Sequence, residues 1–411
     1  MRTRSLAIVC LFLTLTVGCE FHAGGSEEGA APSEAEAPNA EIESEPTPEP
    51  LPPPPPPSEA TLVAVGDIMM HTPQLPGAYV AETGSYDFSG FFQRVKPTIA
   101  AADWAMANLE TPLAGNERGY KGYPRFNAPV EMADALSEAG FDIVSIANNH
   151  ILDQGEAGAI ATIRTLQDRG LKPIGTSEEG ASPLQEAVIT KKNGIAAAFL
   201  AYTYGTNGIP LPQNAPHLVY LVNEKQIAED IAHAKARGAD VIVVSLHFGN
   251  EYQRHPTDAQ RNLAAAVIQS GADIIVGHHP HVVQPYERIT TATEQGTREG
   301  FVIYSLGNFI SNQFGDYKEY GAMLKVTIRK SYSPDGTSSI ELAETEAIPT
   351  WVHKYREGGK SKYRVLPVEA VAAAADDPLI ANRMFPVLKE QAQELNRHLR
   401  SMTEAGDRTE P

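Results

Sequence analysis

From about residue 61 onward, short apolar runs alternate with segments of helical periodicity. Runs at 62–65, 105–109, 143–147, 241–246 and 274–276 are bounded by polar or turn residues, which predicts buried strands. Between them, apolar positions recur at helical spacing over 129–139, 156–169, 224–237 and 258–270. The last two segments carry start signals at capping-box spacing, Asn223 with Gln226 and Thr257 with Gln260. Residues 188–202 read as a hairpin turning at Asn193-Gly194. Runs at 301–306 and 322–329 predict further antiparallel strands, and 378–402 reads as a long terminal helix. Strand–helix alternation and then hairpins predict a mixed α/β sandwich over 61–350, with a C-terminal extension over 351–411.

The first sixty residues have another pattern. Arg2 and Arg4 precede an apolar run over 6–17, then Gly18-Cys19, which predicts a secretory signal peptide over 1–19. The run is shorter than the roughly 20 apolar residues a spanning helix needs. Residues 15–19, Leu-Thr-Val-Gly-Cys, resemble a bacterial lipobox. In such signals the Cys, here Cys19, becomes the acylated first residue, and several acyl chains make a durable membrane anchor. The alternative is ordinary secretion with cleavage near Ala23. Residues 20–60 are rich in Glu, Ala and Pro and end in a six-proline run, a composition that predicts a disordered tether. Fully extended, it would reach roughly 100 Å at about 3.1 Å per residue. The expectation is an extracytoplasmic domain, lipid-anchored at the outer membrane's periplasmic face or at the cell surface.

Charge and cysteine content exclude several classes. The 411 residues hold 33 Lys and Arg against 51 Asp and Glu, a net charge of −18, of which the tether carries −10. No region is basic enough for sequence-independent nucleic-acid binding. Two cysteines, at positions 10 and 19, cannot form a disulfide scaffold.

The chemistry sits at the strand ends. Asp67 comes after the first run, Asn108 and Glu110 at the end of the second, Asn148-Asn149-His150 after the third, His247 after the fourth, and His278-His279-Pro280-His281 after the fifth. Singly, each is an ordinary turn, cap or surface residue. Open α/β sheets gather ligands beyond the carboxyl ends of their strands, and five strand ends delivering carboxylate, amide and imidazole predict a metal centre. Without thiolates the donor set suits one or two divalent ions: Mn, Fe, Zn or Mg. Asp67 and Glu110 are the anionic candidate ligands, with Asn149, His247, His279 and His281 completing the shell. His150 is a candidate general acid. Asp153 either orients His150 or caps the next helix. Lys121 and Arg125 either contact substrate carboxylates or stand solvated. Asn308 either braces a loop or lines the site.

These residues resemble the CapA-type poly-γ-glutamate capsule biosynthesis proteins. The resemblance is carried by Val65-Gly66-Asp67-Ile68-Met69, Asn108-Leu109-Glu110-Thr111-Pro112-Leu113, the 147–155 segment with Asn148-Asn149-His150, Ser245-Leu246-His247-Phe248-Gly249, His279-Pro280-His281-Val282, and Tyr304-Ser305-Leu306-Gly307-Asn308-Phe309. It implies a four-layer α/β/β/α sandwich of the calcineurin-like metallophosphoesterase type. It further implies an extracytoplasmic protein that serves synthesis, export or anchoring of an anionic polymer such as poly-γ-glutamate. With the lipobox and the metal centre, the leading expectation is a lipid-anchored metal-dependent hydrolase or processing factor, with a membrane synthase as a further partner. The alternatives are a non-hydrolytic accessory subunit and a periplasmic phosphoesterase unrelated to capsule. The chain departs from the general metallophosphoesterase pattern at Met69, where that pattern has His, with His71 two positions later. It departs again at Asn108 and Glu110, which replace an Asp-rich motif.

Overall fold

The central strands bury both faces, which is why they read as unbroken apolar runs rather than as alternation. In the computed structural model of the protein, which describes residues 54–403 apart from 295, these runs form two sheets packed face to face. The first sheet orders its strands Lys360–Pro367, Ser338–Glu357, Tyr320–Tyr332, Ser58–Ile68, Trp104–Leu109, Ile143–Ser145 and Lys172–Ile174. Its last four are parallel, the others antiparallel, and the short Asn308–Ile310 strand pairs in parallel with Ser58–Ile68. The second sheet runs Val283–Thr293, Gly296–Leu306, Ile274–His278, Val241–His247, Ile195–Thr203 and Val188–Lys192.

Alternate side chains go to opposite layers. Leu62, Ala64, Trp104 and Met106 meet Phe199, Val243, Ile274 and Phe301 between the sheets. Val63, Val65, Ala105 and Ala107 face outward onto helices Glu131–Ala139 and Gly155–Gln167. Ala198, Leu200, Ile242 and Val244 do the same for Glu224–Ala236 and Asp258–Ser270. The expected four-layer α/β/β/α sandwich is therefore present. The 188–202 hairpin turns at Asn193 and Gly194, both at positive φ, as its turn type requires. Thr257 and Gln260 form the full capping box. Asn223 caps through Gln226 N alone, because the Gln226 side chain is spent on Asp230.

Three boundaries differ from the sequence reading. The first strand starts at Ser58, which pairs with Lys330, three residues before position 61. Strand Ser338–Glu357 runs straight through position 350, so the C-terminal extension is continuous with the sheet. The expected 378–402 helix is Met384–Leu399, preceded by a separate helix Val368–Ala374. Cys19, the signal segment and nearly all of the tether lie outside the described residues.

Candidate metal centre

Two local devices aim the site residues. Along Ser58–Ile68 the pairing with Trp104–Leu109 shifts between Ala64 and Asp67, so three steps on one strand match two on the other. The bulge moves Asp67 off the helix-facing side used by Val63 and Val65, and pairs it with Asn108. Gly66 makes this possible: a Cβ there would lie 2.0 Å from Gly307 O. Gly277 allows an equally close backbone approach in Ile274–His278, where a Cβ would stand 2.0 Å from Tyr304 O. In the second sheet His278 is in register with His247, and His247 with Thr203, so the imidazoles arrive at one edge. His279 and His281 both hold positive φ, at 97° and 58°, a strained state for side chains of this size.

Asp67 and Glu110 are fully buried. Asn108 Nδ2 donates to Asp67 Oδ1 at 2.8 Å, and His278 Nδ1 stands 3.2 Å from the same oxygen. His281 Nδ1 lies 3.1 Å from Asp67 Oδ2. Asn148 braces this arrangement, donating to Asn108 Oδ1 and to Leu109 O. Glu110 differs: neither carboxylate oxygen has a hydrogen-bond partner. Its Oε1 faces His247 Nε2 at 3.4 Å and His281 Nε2 at 3.7 Å. His247 Nε2 also lies 3.0 Å from Asn149 Oδ1. The ligand atoms of Glu110, His247 and His279, of Asp67, Glu110 and His281, and of Glu251, His279 and His281 each fall within 4.8 Å of one another.

Burial sets the electrostatics. Desolvation, with Asp67 adding to it, raises the Glu110 carboxyl to about 8. Burial would raise Asp67 too, but the rings of His278 and His281 hold it well below the usual carboxylate range. Burial and the neighbouring rings of His247 and His281 push His279 down to about 2, and burial pushes His247 well below its ordinary value. Burial also disfavours a charged His281, but Glu110 and Asp67 outweigh it and raise the ring to about 9. Both rings are thus held neutral, the form that ligates metals, and His279 Nδ1 has no hydrogen-bond partner. Buried carboxylate oxygens without donors beside such nitrogens are the arrangement a divalent cation would satisfy. The donor set fits one.

Next to this cluster is a cavity of about 340 Å³, lined by Tyr123, Arg125, Asn149, His150, Asp153 and Glu251 among others. His150 Nδ1 and Asp153 Oδ2 are 2.7 Å apart, and Asp153 Oδ2 also accepts from Phe126 N. Asp153 therefore orients His150, while the helix starts at Gly155 with no side-chain cap. Asn308 braces a loop: its Nδ2 donates to the carbonyls of His281 and Lys318 and to Gln313 Oε1. Arg125 lines the cavity. Lys121 does not; it is exposed and its backbone pairs with Asn127. His71 accepts from Asn312 N through Nδ1 and packs edge-on to Phe126, outside the ligand clusters.

Sequence reasoning brought together Asp67, Glu110, Asn149, His247, His279 and His281, but it assigned no role to His278, to Glu251, to Tyr204, whose ring lies 4.6 Å from that of His279, or to Asn207, whose Oδ1 accepts from Asn149 Nδ2. For His278 the signal was its place at the end of a buried strand. Glu251, Tyr204 and Asn207 sit on loops, whose approach to the site has no local pattern.

Residues 61–313 match the family described as bacterial capsule synthesis protein PGA_cap. The capsule biosynthesis protein CapA of Bacillus anthracis is 31% identical over 279 residues, 66% of this chain and 64% of that one. The PGA biosynthesis protein CapA of Bacillus subtilis (strain 168) is 31% identical over 298 residues, 71% of this chain and 73% of that one. The chain thus spans about two thirds of the first relative's length. Among solved structures, the calcineurin-like phosphoesterase YfkN from Bacillus subtilis superposes with a TM-score of 0.41 at 17% identity, covering 83% of this chain and 98% of that one.

Proposed function

Because the chain belongs to the bacterial capsule synthesis protein PGA_cap family, we propose that it is a metal-dependent hydrolase that processes an anionic polymer of the poly-γ-glutamate kind outside the cytoplasm. The observation that carries this reading is Glu110, with two buried, unpartnered carboxylate oxygens among His247, His281 and Asp67. Leaving such a group unmatched costs several kcal/mol as an order of magnitude. Asp67, Glu110, Asn149, His247, His279 and His281 would hold the ion, and Mn, Fe, Zn or Mg suits these donors. Bound there, a divalent cation supplies Lewis-acid activation of water and of the scissile bond's oxygen.

The chain's own residues supply the proton. Asp153 engages His150 at Nδ1, so Nε2 is the ring atom that exchanges a proton with a substrate in the adjoining cavity. Asn108 and His278 on Oδ1 of Asp67 leave Oδ2 turned toward His281. The polymer is supported by the names of the relatives, given for capsule and PGA biosynthesis. Lipid attachment through Cys19 and service beside a membrane synthase belong to the same reading, supported by the signal-like residues 1–19.

The test is elemental mass spectrometry of the purified protein, native against His279→Ala, beside turnover of γ-linked glutamate polymer and of a generic phosphoester. Bound transition metal that the variant loses, with cleavage of the polymer, is the expected result. No metal above background after reloading would overturn the reading, and turnover of the phosphoester alone would replace the substrate.

A further inference from the structure

The three groups of donors at the cluster overlap, and the overlap limits what they can hold. Glu110 belongs to two of them, one with His247 and His279 and one with Asp67 and His281, while the third joins those same two rings, His279 and His281, to Glu251. A neutral imidazole has one lone pair, so neither ring can ligate two ions at once. Three ions are therefore excluded. Two ions use up the rings, one beside His247 and His279 and the other beside Asp67 and His281, with Glu110 between them. Glu251 then shares a ring with each position. Glu110 is fully buried and Glu251 is exposed, so one carboxylate reaches the pair from the core and the other from the solvent side.

The loop that carries Glu251 is fixed to the segment that carries the rings. Phe248 N donates to His278 O at 3.1 Å, and Tyr252 N donates to Pro280 O at 2.7 Å. Between these bonds Gly249 turns at φ 97°, where a Cβ would stand 2.5 Å from Gln260 Cδ. Among the described residues Glu251 has no Lys or Arg within 4.0 Å, although Arg125 lines the same cavity. Its carboxylate stands beyond 4.0 Å from the nitrogens of both rings, yet within 4.8 Å of the ligand atom of each. Donors bound to one ion at about 2.0–2.2 Å stand up to about 4.4 Å apart, so a small turn of this exposed side chain closes the shell. His279 Nδ1 and both Glu110 oxygens are buried there without hydrogen-bond partners.

Resting on the metal-dependent reading above, we propose that Glu251 is a further metal ligand, an exposed carboxylate that spans two divalent cations from the solvent side and yields its place to an anionic oxygen of the substrate. Asp67, Glu110, His247, His279 and His281 are all buried and cannot withdraw without opening the core. Glu251 withdraws by turning one side chain. The charge balance favours such an exchange. Three carboxylates leave two divalent ions one net positive charge, and withdrawing Glu251 leaves two, facing the cavity beside His150. Glu251 thus keeps the open face of the pair covered until another anion takes its position.

The test titrates metal-stripped full-length protein with Mn(II), native against Glu251→Gln, by calorimetry and by electron paramagnetic resonance, which reports coupling between neighbouring Mn(II) ions. The native protein takes two equivalents and gives a coupled spectrum. Glu251→Gln keeps the first equivalent at native affinity and binds the second about tenfold more weakly. That deficit persists at about 1 M salt, where the Debye length is about 3 Å and attraction by an exposed charge alone is screened. With both proteins loaded to two equivalents, inorganic phosphate binds Glu251→Gln more tightly, because no carboxylate has to be displaced. A single equivalent in the native protein, equal affinity of both proteins for the second ion, a deficit that salt abolishes, or equal phosphate affinity would overturn the proposal and leave the metal-dependent reading standing. No Mn(II) bound by the native protein would overturn both.

Discussion

Glu110 and His281 face one another at the centre, and both titrate upward, which sets the pH behaviour of the metal-free protein. A group whose folded pKa is raised stabilises the fold below its unfolded pKa and loses that stabilisation as pH rises through the folded value. For Glu110 that window runs from 4.5 to about 8, and for His281 from 6.5 to about 9. His279, pushed from 6.5 to about 2, and His247, pushed well below 6.5, work oppositely: the unfolded chain takes up their protons below 6.5, so together they outweigh Glu110 and stability drops on acidification. Between 6.5 and 9 only the falling contributions act. Thermal unfolding of chelator-treated protein is therefore expected to show greatest stability near pH 6.5 and a decline toward pH 9. The decline flattens in Glu110→Gln. The same scale gives the role of Asp153. Asp153→Asn keeps the shape but loses the charge that holds His150, so kcat is expected to fall about 10²-fold. Native metal content and a displaced pH–rate profile would separate this from loss of the ion.

At the scale of elements, strand spacing decides where the carboxylate goes. A Cβ at Gly66 would lie 2.0 Å from one backbone carbonyl and 2.9 Å from the next, and neither can turn away. Gly66→Ala is expected to cost about 1–3 kcal/mol and to weaken metal binding by moving Asp67. Gly90→Ala, with open space around its Cβ, should cost nothing, so denaturant midpoints and metal titrations of the pair check the claim. The bulge beside Gly66 also marks where the sequence stops being legible. Buried strands and their polar ends could be read, because an apolar run ending in Asp or His needs no tertiary knowledge. The pairing that turns Asp67 from the helix side to the site could not, since strict alternation would have sent it with Val63 and Val65. Nor could the aim of Glu251 and Tyr252, whose loop is held by contacts more than a hundred residues away. Asp153 illustrates the same limit: the sequence allowed a cap or a His partner, and only the 2.7 Å approach of His150 Nδ1, with the helix at Gly155 left uncapped, decides for the second.

For the whole molecule, the C-terminal residues are core and not appendage. Leu388, Ala392, Leu395 and Leu399 recur at helical spacing and enter the cluster between the sheets, so the last helix fills space the sandwich would leave open. From that helix Glu394 takes both terminal nitrogens of Arg254, at 2.9 and 3.2 Å, and His398 Nε2 lies 2.9 Å from Arg254 O. Arg254 in turn lies 3.8 Å over the Tyr317 ring, in the loop that presents Glu251 and Tyr252 to the ligand cluster. One element therefore closes the core and sets a wall of the site. Leu388→Ala removes a fully buried side chain and is expected to cost about 2–5 kcal/mol, lowering a single unfolding transition. A chain ended at 350 cuts strand Ser338–Glu357 and discards the helix, and it should fail to fold. Two separate transitions in the Leu388→Ala protein, or a soluble and cooperatively folded 1–350 chain, would show the extension to be a separate unit. Glu394→Gln isolates the second role. The pair is partly exposed, so its loss costs no more than about 1 kcal/mol. The loop it releases carries Tyr252, whose ring lies 6.1 Å from that of His281, so a raised KM for the polymer at unchanged metal content is the expected signature.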